Sequence, residues 1–367
     1  MGKDLGSELR SLREINQHHA ELRDIRRIMM RRIAIGRFIL ALSMIFALFN
    51  ASEAGERRAE VIFKINLKTP ENSKDVRLWI PHPVSDENQT IEDIRIDGNY
   101  SSHGIYKEKE FGNSILYAEW SNRTKDRVLT YTFKVSRKEV VKRDFPKNEL
   151  PLSEKDYAKY LMPTSLSPTT GKVKETAENI TKGKKTTLAK ARAIYDWIVD
   201  NMYRDPQIKG CGIGDVERLL ESLGGKCGDI HSVYVALARS VGVPSREIFG
   251  IRIPNGKEGD MTKAQHCWAE FYLPGYGWVP IDAADVRKIM LEKKLKLGEE
   301  KEFREYYFGA WDANRISYGI GRDLILNPPQ KDGKLNYFMY PYAEADGKAL
   351  DDLFGFNLGY TITFKEI

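Results

Sequence analysis

The sequence predicts an α+β protein, with an all-β sandwich followed by a core of helices and then antiparallel strands. Three patterns predict it. From about residue 58 to 141, short segments that alternate apolar and polar residues are separated by turn residues. From 173 to 241 the apolar residues fall at helical spacing instead. From 264 to 282 two aromatic-rich segments flank Pro274-Gly275-Tyr276-Gly277, a turn that makes them a strand pair.

The opening 30 residues are charged and read as helical, with no assignable role. Arg31-Arg32-Ile33-Ala34-Ile35-Gly36-Arg37 is basic, and 38–49 is apolar apart from Ser43. Ser52-Glu53-Ala54 then places small residues at the −3 and −1 positions before Gly55. Basic, apolar and small-residue segments in that order are an export signal. The apolar run is short for a membrane-spanning helix, so cleavage after Ala54 is expected. Retention as an anchor, with membrane association through residues 33–49, is the alternative. Translation from Met29 or Met30 would put the signal at the N-terminus, which N-terminal sequencing of the precursor tests. Residues 1–37 hold nine Lys or Arg against five Asp or Glu, so the formal charge of +6 falls to +2 beyond Arg37. That balance, without a basic stripe interleaved with aromatics, excludes nucleic acid as a partner.

In the sandwich the predicted strands cover 61–67, 91–96, 115–120 and 128–135, with turns such as Asp97-Gly98-Asn99 and Gly112-Asn113 between them. His82 and His103 stand alone and read as surface or hydrogen-bonded histidines. The sequon Asn122-Arg123-Thr124 matters only in a source that glycosylates exported proteins. Residues 142–172 form a linker containing Pro146, Pro151, Pro163 and Pro168. Helices are predicted over 173–180, over 188–199 with Ala191, Ile194, Tyr195 and Ile198 on one face, and over 216–222.

Gly224-Gly225-Lys226-Cys227 then runs into another helix, with Ile230, Val233, Tyr234, Leu237 and Val241 on its buried face and Gly242 and Pro244 ending it. A thiol in the first turn of a helix meets unpaired N–H groups and the positive end of the dipole, which favour thiolate, the nucleophilic form. Packing is the alternative reading of Cys227 alone. His266 lies in the strand 264–273 and Asp282 ends the strand 278–282, at comparable distances from the turn. A hairpin so built brings imidazole and carboxylate together, and a helix packed on it adds the thiolate. Asp285 competes with Asp282 for the imidazole or for capping the next helix. His231, one turn beyond Cys227, could face the cleft, and Asp229 is also near the thiol. The Cys227 N–H is the expected oxyanion donor.

In an oxidising compartment, three cysteines leave one over if two pair. A Cys211–Cys267 disulfide would free Cys227; the alternative places Cys267 on the opposite face from His266, as a buried apolar residue. A zinc site drawn from Cys211, Cys227, His231, His266 or Cys267 lacks a Cys-x-x-Cys or a close His pair, so no metal and no cofactor is expected. No calcium loop of the EF-hand type occurs.

The cysteine at a helix start, the histidine in Gln265-His266-Cys267-Trp268-Ala269-Glu270 before Pro-Gly-Tyr-Gly-Trp, and the aspartate in Val279-Pro280-Ile281-Asp282 resemble the transglutaminase-like superfamily. The nearest likeness is to its bacterial exported members with a β-rich domain in front. The resemblance spans about 188–286. It implies a papain-like core with Cys227 as nucleophile, His266 as base and Asp282 as third member. The expected organisation is an extension and signal or anchor at 1–54, a β-sandwich at 57–141, a linker at 142–172, and a catalytic domain with a C-terminal β extension at 173–367. Within the last, 287–305 reads as a solvated helix or loop, and 335–342 as an aromatic segment packed in the core, with an end near the cleft or a place in the sheet as the alternatives. The expected partner is a peptide or protein amide. Hydrolysis is preferred over acyl transfer to an amine, and a non-catalytic scaffold retaining the fold is the remaining alternative.

Overall fold

Alternation of side chains decides the N-terminal half. The computed structural model of the protein describes residues 55–121 and 126–367. The export signal or anchor at 1–54 and the sequon at 122–124 lie outside the described residues. β1 (Glu56–Asn66) buries Ala59, Val61, Phe63 and Ile65 at every second position. It is followed by β2 (Asp75–Pro81), β3 (Gln89–Gly98), β4 (Ser102–Lys107), β5 (Ser114–Ser121) and β6 (Val128–Lys138). Antiparallel pairing gives one group of β1, β6 and β3 and another of β2, β5 and β4. Val76, Leu78, Ile80, Leu116, Ala118 and Trp120 of the second group meet the buried row of the first in one core. His82 is a satisfied core histidine: its Nδ1 lies 2.6 Å from the Tyr131 hydroxyl, and burial pushes it down to about 4.

The linker is tied to the helical half. The Glu149 carboxylate accepts from the Thr187 and Leu188 amides at 2.7 and 2.8 Å, covering two open N–H groups at the start of a helix. The helices are α1 (Gly171–Ile180), α2 (Thr187–Asn201), α3 (Val216–Ser222) and α4 (Cys227–Ser240). α4 is buried from Cys227 through Ala238, all the way round, so it forms the axis of this half. α1, α2 and α3 pack on it, and the next sheet covers its other side. Gly242, at φ +80°, follows its end.

That sheet is built from β7 (Ser245–Arg252), β9 (Gln265–Leu273), β10 (Gly277–Ile281) and β11 (Arg315–Ile320), in the antiparallel order β10-β9-β7-β11. A short β8 (Glu258–Asp260) lies between β7 and β9 in the chain. α5 (Ala283–Lys293) and α6 (Lys301–Tyr306) precede β11. α5 buries Ala283, Ala284, Asp285, Val286 and Met290, so only part of the run 287–305 is a solvated surface. Among the described residues no helix is long and apolar enough to cross a membrane.

The last strands correct one expectation. β12 (Tyr342–Ala345), β13 (Lys348–Ala349) and β14 (Tyr360–Glu366) fall in the segment assigned as the C-terminal β extension of the catalytic domain. They return to the sandwich instead. β14 pairs with β1, with Ala59 opposite Glu366, and β12 pairs with β2. Two five-stranded sheets result, β8-β14-β1-β6-β3 and β13-β12-β2-β5-β4. The physical reason is that β1 and β2 would otherwise present open edges, and Ile362 and Phe364 would lack the sandwich core in which they are buried. The aromatic segment does pack in cores, and on two sides. Phe338 and Tyr342 cover Trp79 and Tyr117, whereas Tyr337, Met339 and Tyr340 join the helical core.

Candidate functional site

The start of α4 is held by its own third residue. Asp229 accepts from the Lys226 amide at 3.0 Å and from the Gly214 amide at 2.9 Å, fastening the loop 210–214 to the helix start. Burial is the largest influence on Asp229 and raises its pKa, against those two amides. The loop comes so close that a Cβ on Gly212, which also sits at φ +86°, would lie 1.9 Å from Asp229 Oδ2. Gly212→Ala is therefore expected to destabilise the protein by about 2–3 kcal/mol through backbone strain and loss of the cap. Urea denaturation measures it, and a change under about 0.5 kcal/mol, the range of an indifferent surface substitution, would contradict the account.

The Gly228 N–H donates to the Cys211 carbonyl at 2.8 Å, while that of Asp229 returns to the Lys226 carbonyl at 3.1 Å. The Cys227 N–H, at the first position of the helix, has no intrahelical acceptor and none elsewhere among the described residues. Cys227 itself is 2% exposed and lies at a cavity of about 590 Å³ that His266, Cys211, Tyr307 and Tyr340 also line.

β9 carries His266, and Asp282 sits where β10 passes into α5. The hairpin register sets Ala269 opposite Ile281, which leaves Asp282 just beyond the paired residues and near the start of β9. Asp282 Oδ1 caps α5 by accepting from the Asp285 amide at 2.7 Å, and Oδ2 lies 2.9 Å from His266 Nε2. One carboxylate thus meets both demands, each with its own oxygen. Asp285, the rival, stands 3.6 Å from the same nitrogen and is engaged by two arginines.

Those arginines are what sequence reasoning missed. Arg315, fully buried on β11, donates to Asp282, to Asp285 at 2.7 Å and to Asp312 at 3.0 Å. Its Nη1 also lies 3.1 Å from His266 Nε2. Arg252 on β7 donates twice to Asp285, once at 3.2 Å. His266, Asp282 and Asp285 approach within 4.8 Å of one another, a spacing that would suit a metal ion. Two guanidinium charges already answer those carboxylates, so the cluster is ill suited to a further cation.

His231 does not face the cleft. It is fully buried behind Asp282, with Nε2 3.2 Å from Oδ1 but out of line for a hydrogen bond, and Nδ1 4.0 Å from Cys267 Sγ. The cleft opens at the end of α4 and not along its flank, so the residue one turn on points into the protein. The three cysteines are all unpaired, so the Cys211–Cys267 disulfide is not formed. Cys267 is buried between β9 and α4, and Cys211 Sγ lies 3.3 Å from the Gln265 carbonyl.

Charge is distributed unevenly among these groups. Hydrogen bonding from the Cys211 thiol, then from Cys267, and the nearby His266 hold the Cys227 thiol well below the ordinary range, against burial. The single S–H of Cys211 serves either Cys227 or the Gln265 carbonyl. Burial and Arg252 push His266 down, but Asp285 and Asp282 outweigh them and raise it above its ordinary 6.5. Burial would raise Asp282, yet Arg315, His266 and His231 hold it well below the carboxylate range. The combination favours a thiolate beside an imidazolium, backed by an ionised carboxylate.

Comparison with known proteins places this geometry in context. A family model described as the transglutaminase-like superfamily matches residues 174–283. An uncharacterised protein of Haemophilus influenzae is 36% identical over 315 residues, covering 78% of this chain and 85% of its own. The crystal structure of a candidate cysteine protease from Cytophaga hutchinsonii superposes with a TM-score of 0.52 at 17% identity, over 86% of this chain and 99% of that one. The periplasmic domain of TgpA from Pseudomonas aeruginosa gives a TM-score of 0.34 at 13% identity, over 68% of this chain and 93% of that one.

Proposed function

Because this chain belongs to the transglutaminase-like superfamily, we propose that it is an exported cysteine hydrolase that cleaves amide bonds with Cys227, His266 and Asp282. The observation that carries the reading is the His266–Asp282 pair at 2.9 Å, with His266 and the helix-N-terminal Cys227 thiol bordering one cavity and Asp282 fully buried. The Cys227 thiolate attacks the amide carbonyl, and the oxyanion that forms faces the Cys227 N–H. The His266 imidazolium gives its proton to the leaving amine as the carbon–nitrogen bond breaks, leaving a thioester on Cys227. His266 then takes a proton from water, whose oxygen attacks the thioester and releases the acid and the thiolate. Asp282 keeps the ring oriented and stabilises its charged form. Hydrolysis is preferred over transfer to an amine because the cavity wall is polar, with Arg204, Lys226 and Asn255 among its residues, and so does not exclude water. Export rests on the order of segments at 31–54.

The test is alkylation of Cys227 by iodoacetamide as a function of pH, read site by site by mass spectrometry. The rate is expected to rise through a midpoint well below the free-cysteine value of about 8.5. His266→Ala removes a group that favours the thiolate, so the midpoint moves up. Amide hydrolysis should instead be bell-shaped. It is lost at low pH as Cys227 gains a proton, and at high pH as His266, raised above 6.5, loses the one it must donate. An ordinary thiol indifferent to His266 would overturn the reading. Product formed with an added amine in place of water would reassign the reaction to acyl transfer.

A further inference from the structure

The cavity at Cys227 is walled by five basic side chains, Arg204, Lys226, Arg252, Lys263 and Lys288, against one acid, Asp312. Some of these charges are answered. Arg315 donates to Asp312 at 3.0 Å, Arg252 is held by Asp285, and Lys288 lies 3.7 Å from Glu292. Arg204, Lys226 and Lys263 form no ion pair among the described residues. Composition does not require this concentration, since the chain beyond Arg37 carries a net charge of only +2.

Position gives the surplus its meaning. Arg204 pairs through its backbone with Gly225, two residues before the nucleophile, and Lys226 immediately precedes it. Lys263 stands three residues before His266 on the strand side. The unanswered cations therefore come from both arms of the cleft, one arm carrying the thiol and the other the imidazole. A partly enclosed cleft lined by one sign of charge concentrates ligands of the opposite sign. Resting on the hydrolase reading above, we infer that the substrate is an anionic amide, a peptide with carboxylates close to the bond cleaved.

The full-length protein is alkylated with iodoacetate and, separately, with its neutral counterpart iodoacetamide. The ratio of the two rates at Cys227 is compared with the same ratio for 2-mercaptoethanol. At low salt the protein's ratio is expected to be about 10-fold or more higher, in keeping with focusing in a charged cleft. It should collapse at roughly 1 M salt, where screening acts within about 3 Å. Lys263→Glu and Arg204→Gln each lower the ratio, and Lys263→Arg restores it. A ratio equal to that of the small thiol overturns the inference while leaving the hydrolase reading standing. Binding provides a second, independent readout on Cys227→Ala, using fluorescent peptides with glutamates, with glutamines in their place, and with a free or amidated C-terminus. At least about 10-fold tighter binding of the glutamate peptides supports side-chain carboxylates. Dependence on the free C-terminus alone supports a terminal one. Equal affinities overturn the inference. A thiol inert to both reagents sinks the hydrolase reading alone, because the binding comparison still decides the selection for charge.

Discussion

Cys227→Ser is expected to lower kcat/KM for amide hydrolysis by on the order of 10⁴-fold or more while the thermal midpoint stays unchanged. The hydroxyl fits where the thiol was, since Cys227 is 2% exposed and closely packed at the start of α4. The loss is chemical. A serine hydroxyl is not ionised by an adjacent imidazole in the ground state, so the thiolate–imidazolium pair favoured by the surroundings cannot form. Substitution of Cys211 should behave differently. Its thiol is the largest influence holding Cys227 down, so Cys211→Ala is expected to move the alkylation midpoint upward without removing the reactive group. Steady-state kinetics with fluorogenic amides, beside site-resolved alkylation, separates the two variants. Activity within about 10-fold of the unaltered protein for Cys227→Ser would show that another group attacks the amide.

Arg315→Leu carries the largest expected effect on stability. Arg315 is fully buried and is shared by Asp282, Asp285 and Asp312. Removing it leaves Asp282 and Asp312 without an arginine partner and weakens the hold on Asp285, which keeps Arg252. Breaking a buried ion pair from one side typically costs about 3–5 kcal/mol, and urea denaturation is expected to show a loss in that range. Arg315→Lys should recover part of it, since one ammonium keeps the charge but cannot present a planar fork to several carboxylates. A loss below about 1 kcal/mol for the leucine variant would mean that water or local rearrangement replaces the guanidinium.

The contrast between these two residues shows what the sequence carries. Cys227 announces itself locally, through the glycines before it and the helical spacing after it. The hairpin around Pro274-Gly275 likewise brings His266 and Asp282 together through short-range geometry alone. Arg315 has no such signal. It lies 33 residues beyond Asp282, and only the pairing of β11 with β7 brings it under the site. His231 is misplaced by sequence for a related reason: helical spacing states which residues share a face, but not whether the cleft opens along that face or at the helix end. The sandwich strands are legible from their period of two. Their outer partners β12 and β14 are not, because nothing in an alternating segment says which distant strand will cover its edge.

The pairing of β1 with β14 also fixes an order of events in synthesis. Ala59 must wait for Glu366, and at about 5–20 residues per second the interval is on the order of 15–60 s. Until then β1 and β2 each lack a neighbour that the finished sheets supply, and the emerging chain presents two unpaired backbone edges next to apolar faces. The helical half with Cys227 is made inside that interval, between strands whose partners do not yet exist. Completion of the sandwich is therefore a late event that depends on the last strand, and throughout that interval the newly made chain presents edges open to pairing with other chains.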